Sequence, residues 1–200
     1  MSEVPPTPIA QGTDGLVILI GPPGAGKTAA GMALATLLGW DFADTDNLIE
    51  DEAGASVSAI FVHEGEAAFR ERERRVVREV LGTRREGPGL VVALGGGAAM
   101  EADNQAFIVR EATVFLDPGQ AAAIRRVGLD TPRPLLAASP RARWRALMAE
   151  RRPTYVALAR AIVHSDTGTP EDVARRIAQA MGLDKVIEGV SALDSRPYEG

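Results

Sequence analysis

Apolar positions along the chain fall into two alternating patterns. Leu16-Val17-Ile18-Leu19-Ile20 is an unbroken apolar run of strand length. Thr28 to Leu38 is rich in Ala and Leu, and Gly39 closes it as a helix C-cap. The same succession then repeats. Asp41 to Asp44 predicts a short second strand, Asn47 to Ala53 a helix stopped by Gly54, and Ser56 the cap of a short helix through Phe61. A longer helix is predicted over about Glu66 to Leu81, ended by Gly82. Leu90 to Leu94 is again apolar without interruption, as in a parallel strand covered on both faces. Helices are predicted over Asp103 to Arg110 and Gln120 to Arg126, on either side of a fourth strand, Ala112 to Leu116. Gly128 to Pro140 carries three prolines and reads as a loop. Arg141 to Arg152 predicts a basic helix, with Pro153 starting a separate one over Tyr155 to Arg160. Ala161 to His164 is a fifth strand. Pro170 to Met181 is a last amphipathic helix with Glu171 and Asp172 in its first turn. Strands alternating with helices imply right-handed crossovers and a parallel sheet, hence an α/β domain. The pattern alone does not order the strands.

Composition narrows the class. The 200 residues suit one domain, expected over 16–183 between a flexible leader at 1–15 and a flexible tail at 184–200. With 22 basic and 27 acidic residues the formal charge is −5, which disfavours a nucleic-acid platform. It leaves anionic small substrates open, because local arginines decide those. The absence of cysteine excludes disulfides, thiolate metal sites and thiol catalysis. No apolar run approaches membrane-spanning length, and residues 1–15 lack the basic-then-apolar order of a signal peptide. A cytoplasmic protein without a membrane partner is expected.

Chemistry enters at Gly21 to Thr28, GPPGAGKT, which fits G-x-x-x-x-G-K-[ST] between the first strand and the first helix. Glycines let backbone N–H groups turn inward around a phosphate, and the helix N-terminus adds partial positive charge. Lys27 can reach β- and γ-phosphates, and the Thr28 hydroxyl can ligate Mg²⁺. The loop implies a nucleoside triphosphate without saying what is done with it. No guanine-reading N-K-x-D occurs, and strand three runs into Gly95 where many ATPases place an aspartate, which leaves Asp44 to position a metal.

Four further features surround this loop. Asp44-Thr45-Asp46 ends strand two, and in a strand tail residues two apart share a face, so two carboxylates face the cleft; the alternative is a helix N-cap in a solvated turn. Phe69, Glu73, Val76 and Val80 form one stripe at helical spacing, so Glu73 is a carboxylate on an apolar face within reach of Arg70. A guanidinium braced there can present its fork to an anion; the alternative is an ordinary surface pair. Gly95-Gly96-Gly97 suits a ligand lying against bare backbone, or a tight turn. Arg133-Pro134-Leu135-Leu136 places an arginine in a proline-bearing loop, as a lid over phosphates requires.

Taken together, the chain resembles a shikimate kinase from about Leu16 to Leu183. The resemblance rests on GPPGAGKT, on DTD at 44–46, on IF…EGEAAFR ending at Arg70, on GGG at 95–97, on RPLL at 133–136, and on R-x-P-x-Y from Arg151 to Tyr155. It implies a three-layer α/β/α kinase domain whose five parallel strands run in the order 2-3-1-4-5, with an acceptor-binding region and a lid at about 128–140. It implies phosphorylation of shikimate by ATP to shikimate 3-phosphate, on the route to chorismate and the aromatic amino acids; a monomer is expected. Gly24, Ala25, Gly26, Lys27, Thr28 and Ala29 would hold the nucleotide, with Arg126 against adenine and Gly168 beside it. Thr28 and Asp44 would hold Mg²⁺. Asp46 would bind two substrate hydroxyls and orient or activate the nucleophile, with Lys27 and Arg133 completing the catalytic set. Arg70 and Arg151 would hold the carboxylate. Gly95, Gly96 and Gly97 would line the acceptor site, Gly96 touching ring hydroxyls through its backbone. The chain departs from some relatives at Asp166-Thr167-Gly168-Thr169-Pro170, where they place a basic residue and Asn against adenine, so backbone must read the base there. Rival expectations are a related small-acid kinase, such as one acting on gluconate, and a kinase-like domain that senses an effector without turnover.

Overall fold

In the computed structural model, which describes residues 15–82, 88–109, 111–127, 140–184, 186 and 187, five parallel strands form one sheet. They are β1 (Leu16–Ile20), β2 (Asp41–Asp44), β3 (Leu90–Ala93), β4 (Ala112–Asp117) and β5 (Ala161–His164), in the spatial order β2-β3-β1-β4-β5. All four strand pairings are parallel, with Ile18 opposite Val92 on one side and Thr113 on the other. Helices α1 (Lys27–Leu38), α2 (Thr45–Ala53), α3 (Val57–His63), α4 (Gly65–Gly82), α5 (Ala102–Ile108), α6 (Gln120–Arg126), α7 (Pro140–Leu158) and α8 (Pro170–Ala180) flank it.

Alternation along β1 shows why both faces are covered. Val17 and Leu19 join Leu34 of α1 and Val173 and Ile177 of α8 in one core. Ile18 and Ile20 join Val77 of α4, Ile108 of α5 and Tyr155 of α7 in the other. A smaller cluster of Ile49, Ile60, Phe69 and Val76 ties α2, α3 and α4 together beside the sheet. The strand order and the layers match what the resemblance implies.

Two local expectations are corrected. Pro153 does not start a helix: α7 is a single helix of 19 residues with Pro153 inside it. Proline removes one ladder hydrogen bond and typically costs about 3 kcal/mol in a helix interior. Met148, Tyr155 and Leu158, buried at helical spacing on both sides of it, offset that loss by holding α7 to the sheet. Second, Asp44-Thr45-Asp46 is not a strand tail. β2 ends at Asp44 and α2 starts at once, with Asp44 as its N-cap. Aspartate is among the best N-caps because its side chain satisfies an orphan N–H of the first turn. The leader at 1–15 (apart from Gly15), most of the tail at 184–200 and nearly all of the lid expected at about 128–140 lie outside the described residues, and Arg133 with them.

Candidate active site

The phosphate-binding loop joins β1 to α1 at the sheet's C-terminal edge. Gly26 is the N-cap of α1 at φ +83°, a conformation that favours glycine, and no side chain caps the helix. First-turn N–H groups are therefore left for phosphate oxygens. Lys27 Nζ donates to the carbonyls of Gly21 at 2.9 Å and Pro22 at 3.3 Å. Burial holds the Lys27 ammonium below the usual lysine range, while the Asp46 and Asp44 carboxylates oppose that shift. Thr28 Oγ1 donates to Asp44 Oδ2 at 2.6 Å, and Asp44 Oδ1 accepts from the Asp46 N–H at 3.0 Å. One carboxylate thus caps α2 and meets the loop hydroxyl.

Asp46, on the first turn of α2, stands between the loop and the acceptor residues. Burial and the Asp44 carboxylate push its carboxyl up; Lys27 and, more weakly, Arg70 oppose. Glu73 is buried, 1% exposed, on the inner stripe of α4. Arg70 Nη1 donates to Glu73 Oε2 at 2.6 Å, and the guanidinium lies 5.3 Å from the Phe69 ring centroid and 5.9 Å from that of Phe61. Burial would lower the Arg70 pKa, but Glu73 and Glu66 hold it above its ordinary value. Burial pushes the Glu73 carboxyl up, against the Arg70 guanidinium. The surface-pair alternative fails because Glu73 has no solvent of its own.

The three glycines leave room for these groups. A Cβ at Gly95 would collide with Asp46 Oδ1 and lie 3.0 Å from Glu73 Oε1; one at Gly97 would lie 2.5 Å from Arg70 Nη1. The bare backbone serves the protein's own charged side chains. The Gly96 carbonyl accepts from Arg151 Nη1 at 3.1 Å, and among the described residues Arg151 Nε is buried without a partner. Lys27, Asp44, Asp46, Arg70, Gly95, Gly96, Gly97 and Arg151 are thus linked through direct contacts or short-range charge interactions.

On the far side of the loop, a cavity of about 280 Å³ is lined by Ala25, Gly26, Ala29, Arg126, Ser165, Gly168, Thr169, Pro170 and Val173. Arg126 donates to the Gly24 carbonyl at 3.2 Å and to the Ser165 carbonyl at 2.6 Å. The Thr169 side chain is engaged in a capping box with Asp172. Arg126, Ala29 and Gly168 therefore share one cavity beside the loop, as a base-binding pocket requires.

Three residues of this arrangement were not singled out from the sequence. Thr45, fully buried, accepts the Gly95 N–H at 2.9 Å. Tyr155 donates to the Gly96 carbonyl at 2.7 Å. Ser165 Oγ donates to the Ala25 carbonyl at 2.8 Å. Thr45 and Tyr155 lie inside the DTD and R-x-P-x-Y motifs, a signal that could have found them; Ser165 has none.

The sequence profile of a family described as shikimate kinase matches residues 23–182. The shikimate kinase of Thermobifida fusca is 51% identical over 166 residues, 83% of this chain and 94% of its own length. That of Streptomyces coelicolor is 44% identical over 84% of this chain and 96% of its own. Among solved structures, shikimate kinase from Acinetobacter baumannii in complex with shikimate matches with a TM-score of 0.75 at 37% identity, over 85% of this chain and 94% of that one.

Proposed function

The chain belongs to the shikimate kinase family, and we propose that its site transfers the γ-phosphoryl group of ATP to the 3-hydroxyl of shikimate. The observation that carries this reading is the place of Asp46, close enough to feel Lys27 on the phosphate side and Arg70 on the acceptor side at once. Phosphoryl transfer is mostly positioning and charge neutralisation. Loop N–H groups and Lys27 bind the phosphates and balance charge as the terminal bridge breaks. Arg70 and Arg151 hold the shikimate carboxylate and so fix the ring. Asp46 accepts a hydrogen bond from the attacking hydroxyl, aligns its oxygen and takes its proton; a carboxyl held above its ordinary pKa is the better acceptor. Arg126 lies against adenine, and Arg133, expected to act on the phosphates, lies outside the described residues.

Thr28 and Asp44 fit an Mg²⁺ site. Their oxygens already converge at 2.6 Å. Mg²⁺ is commonly held by one or two protein oxygens together with waters and substrate phosphates. Held by Thr28 and Asp44, Mg²⁺ would supply positive charge against the phosphates. No helix among the described residues is long and apolar enough to cross a membrane. The proposal includes a functional unit at 16–183 and a cytoplasmic monomer that binds small molecules, with no nucleic-acid or membrane partner.

An assay coupled to ADP release tests the reading. ADP should form only with shikimate present. Equal rates with gluconate would favour a different small-acid kinase, and shikimate binding without ADP release would favour a sensor.

A further inference from the structure

Tyr155 lies four residues after Arg151 on α7, and the two side chains end on one atom. The Tyr155 hydroxyl donates to the Gly96 carbonyl at 2.7 Å and Arg151 Nη1 donates to it at 3.1 Å. A carbonyl oxygen has two lone pairs, so both are used. The Tyr155 ring is fully buried and stacks on Phe115 of β4 with centroids 5.1 Å apart, so its hydroxyl is carried on a rigid support. Burial pushes the phenol up, against the Arg151 guanidinium, and keeps it a donor at neutral pH. One residue earlier the Gly95 N–H is tied to Thr45, next in the chain to Asp46. The glycine turn is thus fastened at Gly95 to the helix that carries Asp46 and at Gly96 to the helix that carries Arg151. Arg151 Nη1 donates to that carbonyl, and among the described residues its buried Nε has no partner. A guanidinium held at one corner can pivot unless the atom it holds is itself fixed.

We propose that Tyr155 is a positioning residue for the acceptor: it fixes the Gly96 carbonyl where Arg151 meets it, and so aims Arg151 and the glycine backbone at the bound acid. The inference rests on the reading of Arg151 as a ligand of the shikimate carboxylate.

Tyr155→Phe removes one oxygen and keeps the ring stacked. Arg151→Lys, measured beside it, tests the underlying reading, because ammonium keeps the charge without the planar fork. The expected result for Tyr155→Phe is a rise in KM for shikimate of about three- to ten-fold, the range of one lost hydrogen bond, with KM for ATP within about two-fold and Tm within a few degrees of the parent. Arg151→Lys should raise KM for shikimate about ten-fold or more. The double variant should show less than the product of the two effects, because Tyr155 acts through Arg151. A Tyr155→Phe enzyme with unchanged KM for shikimate, or with both KM values raised together as Tm falls, would overturn the positioning role. If Arg151→Lys also left KM for shikimate unchanged, the assignment of Arg151 would fall first.

Discussion

Lys27 and Arg70 both offer a cation to an anionic ligand, yet the chain supports them differently. Lys27 leans on carbonyls five and six residues away, within one contiguous motif. The carbonyls that accept from it are fixed by a helix start and a turn, while the Asp46 and Asp44 carboxylates act on its charge. Arg70 leans on the buried carboxylate of Glu73, on the rings of Phe61 and Phe69, and on space left by Gly97 from another segment. In the proposed site, phosphate recognition is built locally and largely from main chain, whereas acceptor recognition is assembled from α2, α4, the glycine turn and α7 and depends on side chains that brace one another. A side-chain deletion should harm the acceptor end more than the phosphate end, and each variant below probes that contrast.

Asp46, where the two ends meet, carries the largest expected effect. Asp46→Asn should lower kcat about 10²–10⁴-fold, the usual range for a general base, with little change in ATP affinity measured by titration. The same change should raise Tm. A carboxyl whose pKa is raised on folding contributes stability that is full below its unfolded pKa and lost as pH rises through the folded one. At neutral pH the ionised Asp46 weighs against the fold, and the amide removes that penalty. In the parent enzyme the acid limb of the kcat/KM profile, which reports the free enzyme, should lie above the ordinary aspartate value.

Glu73→Ala comes next. Removing one partner of a buried pair typically costs about 3–5 kcal/mol. Arg70 keeps 19% exposure, so about 3 kcal/mol is expected in urea unfolding, with KM for shikimate raised and KM for ATP nearly unchanged. Gly97→Ala should be milder. Its Cβ would press on Arg70 Nη1 while Glu73 holds the guanidinium in place, an overpacking cost of about 1–3 kcal/mol read as a higher KM for shikimate. Arg152→Lys should do least. Arg152 pairs with Asp117 at 2.8 Å and is half exposed, so about 0–1 kcal/mol is expected and less than about a two-fold change in either KM. An effect there as large as that of Arg151→Lys would mean the wrong arginine has been assigned to the acid.

The contrast between the two ends also sets what was legible in the sequence. The phosphate end was readable because its chemistry lies in one run, from β1 through Thr28, and a strand–loop–helix context confirms it. Strand positions were readable from unbroken apolar runs; their order came only with the family resemblance, because pairing is set by crossovers that no local window contains. At the acceptor end, the partnership of Glu73 with Arg70 followed from helical spacing. The links that cross between segments did not. Nothing local shows that Thr45 takes the Gly95 N–H, or that Ser165 reaches Ala25 across 140 residues. Pro153 misled because its strong local preference is overridden by the buried stripe of α7 on both sides.

The central claim is that the braced acceptor site delivers one shikimate hydroxyl to the phosphate held by the loop. Phosphorus NMR of a reaction with enzyme, ATP, Mg²⁺ and shikimate tests it most directly. The account predicts one new phosphomonoester resonance, coupled to the ring proton at carbon 3 and growing in step with ADP. Inorganic phosphate as the only new signal, or a phosphomonoester coupled to a proton at another ring position, would contradict it.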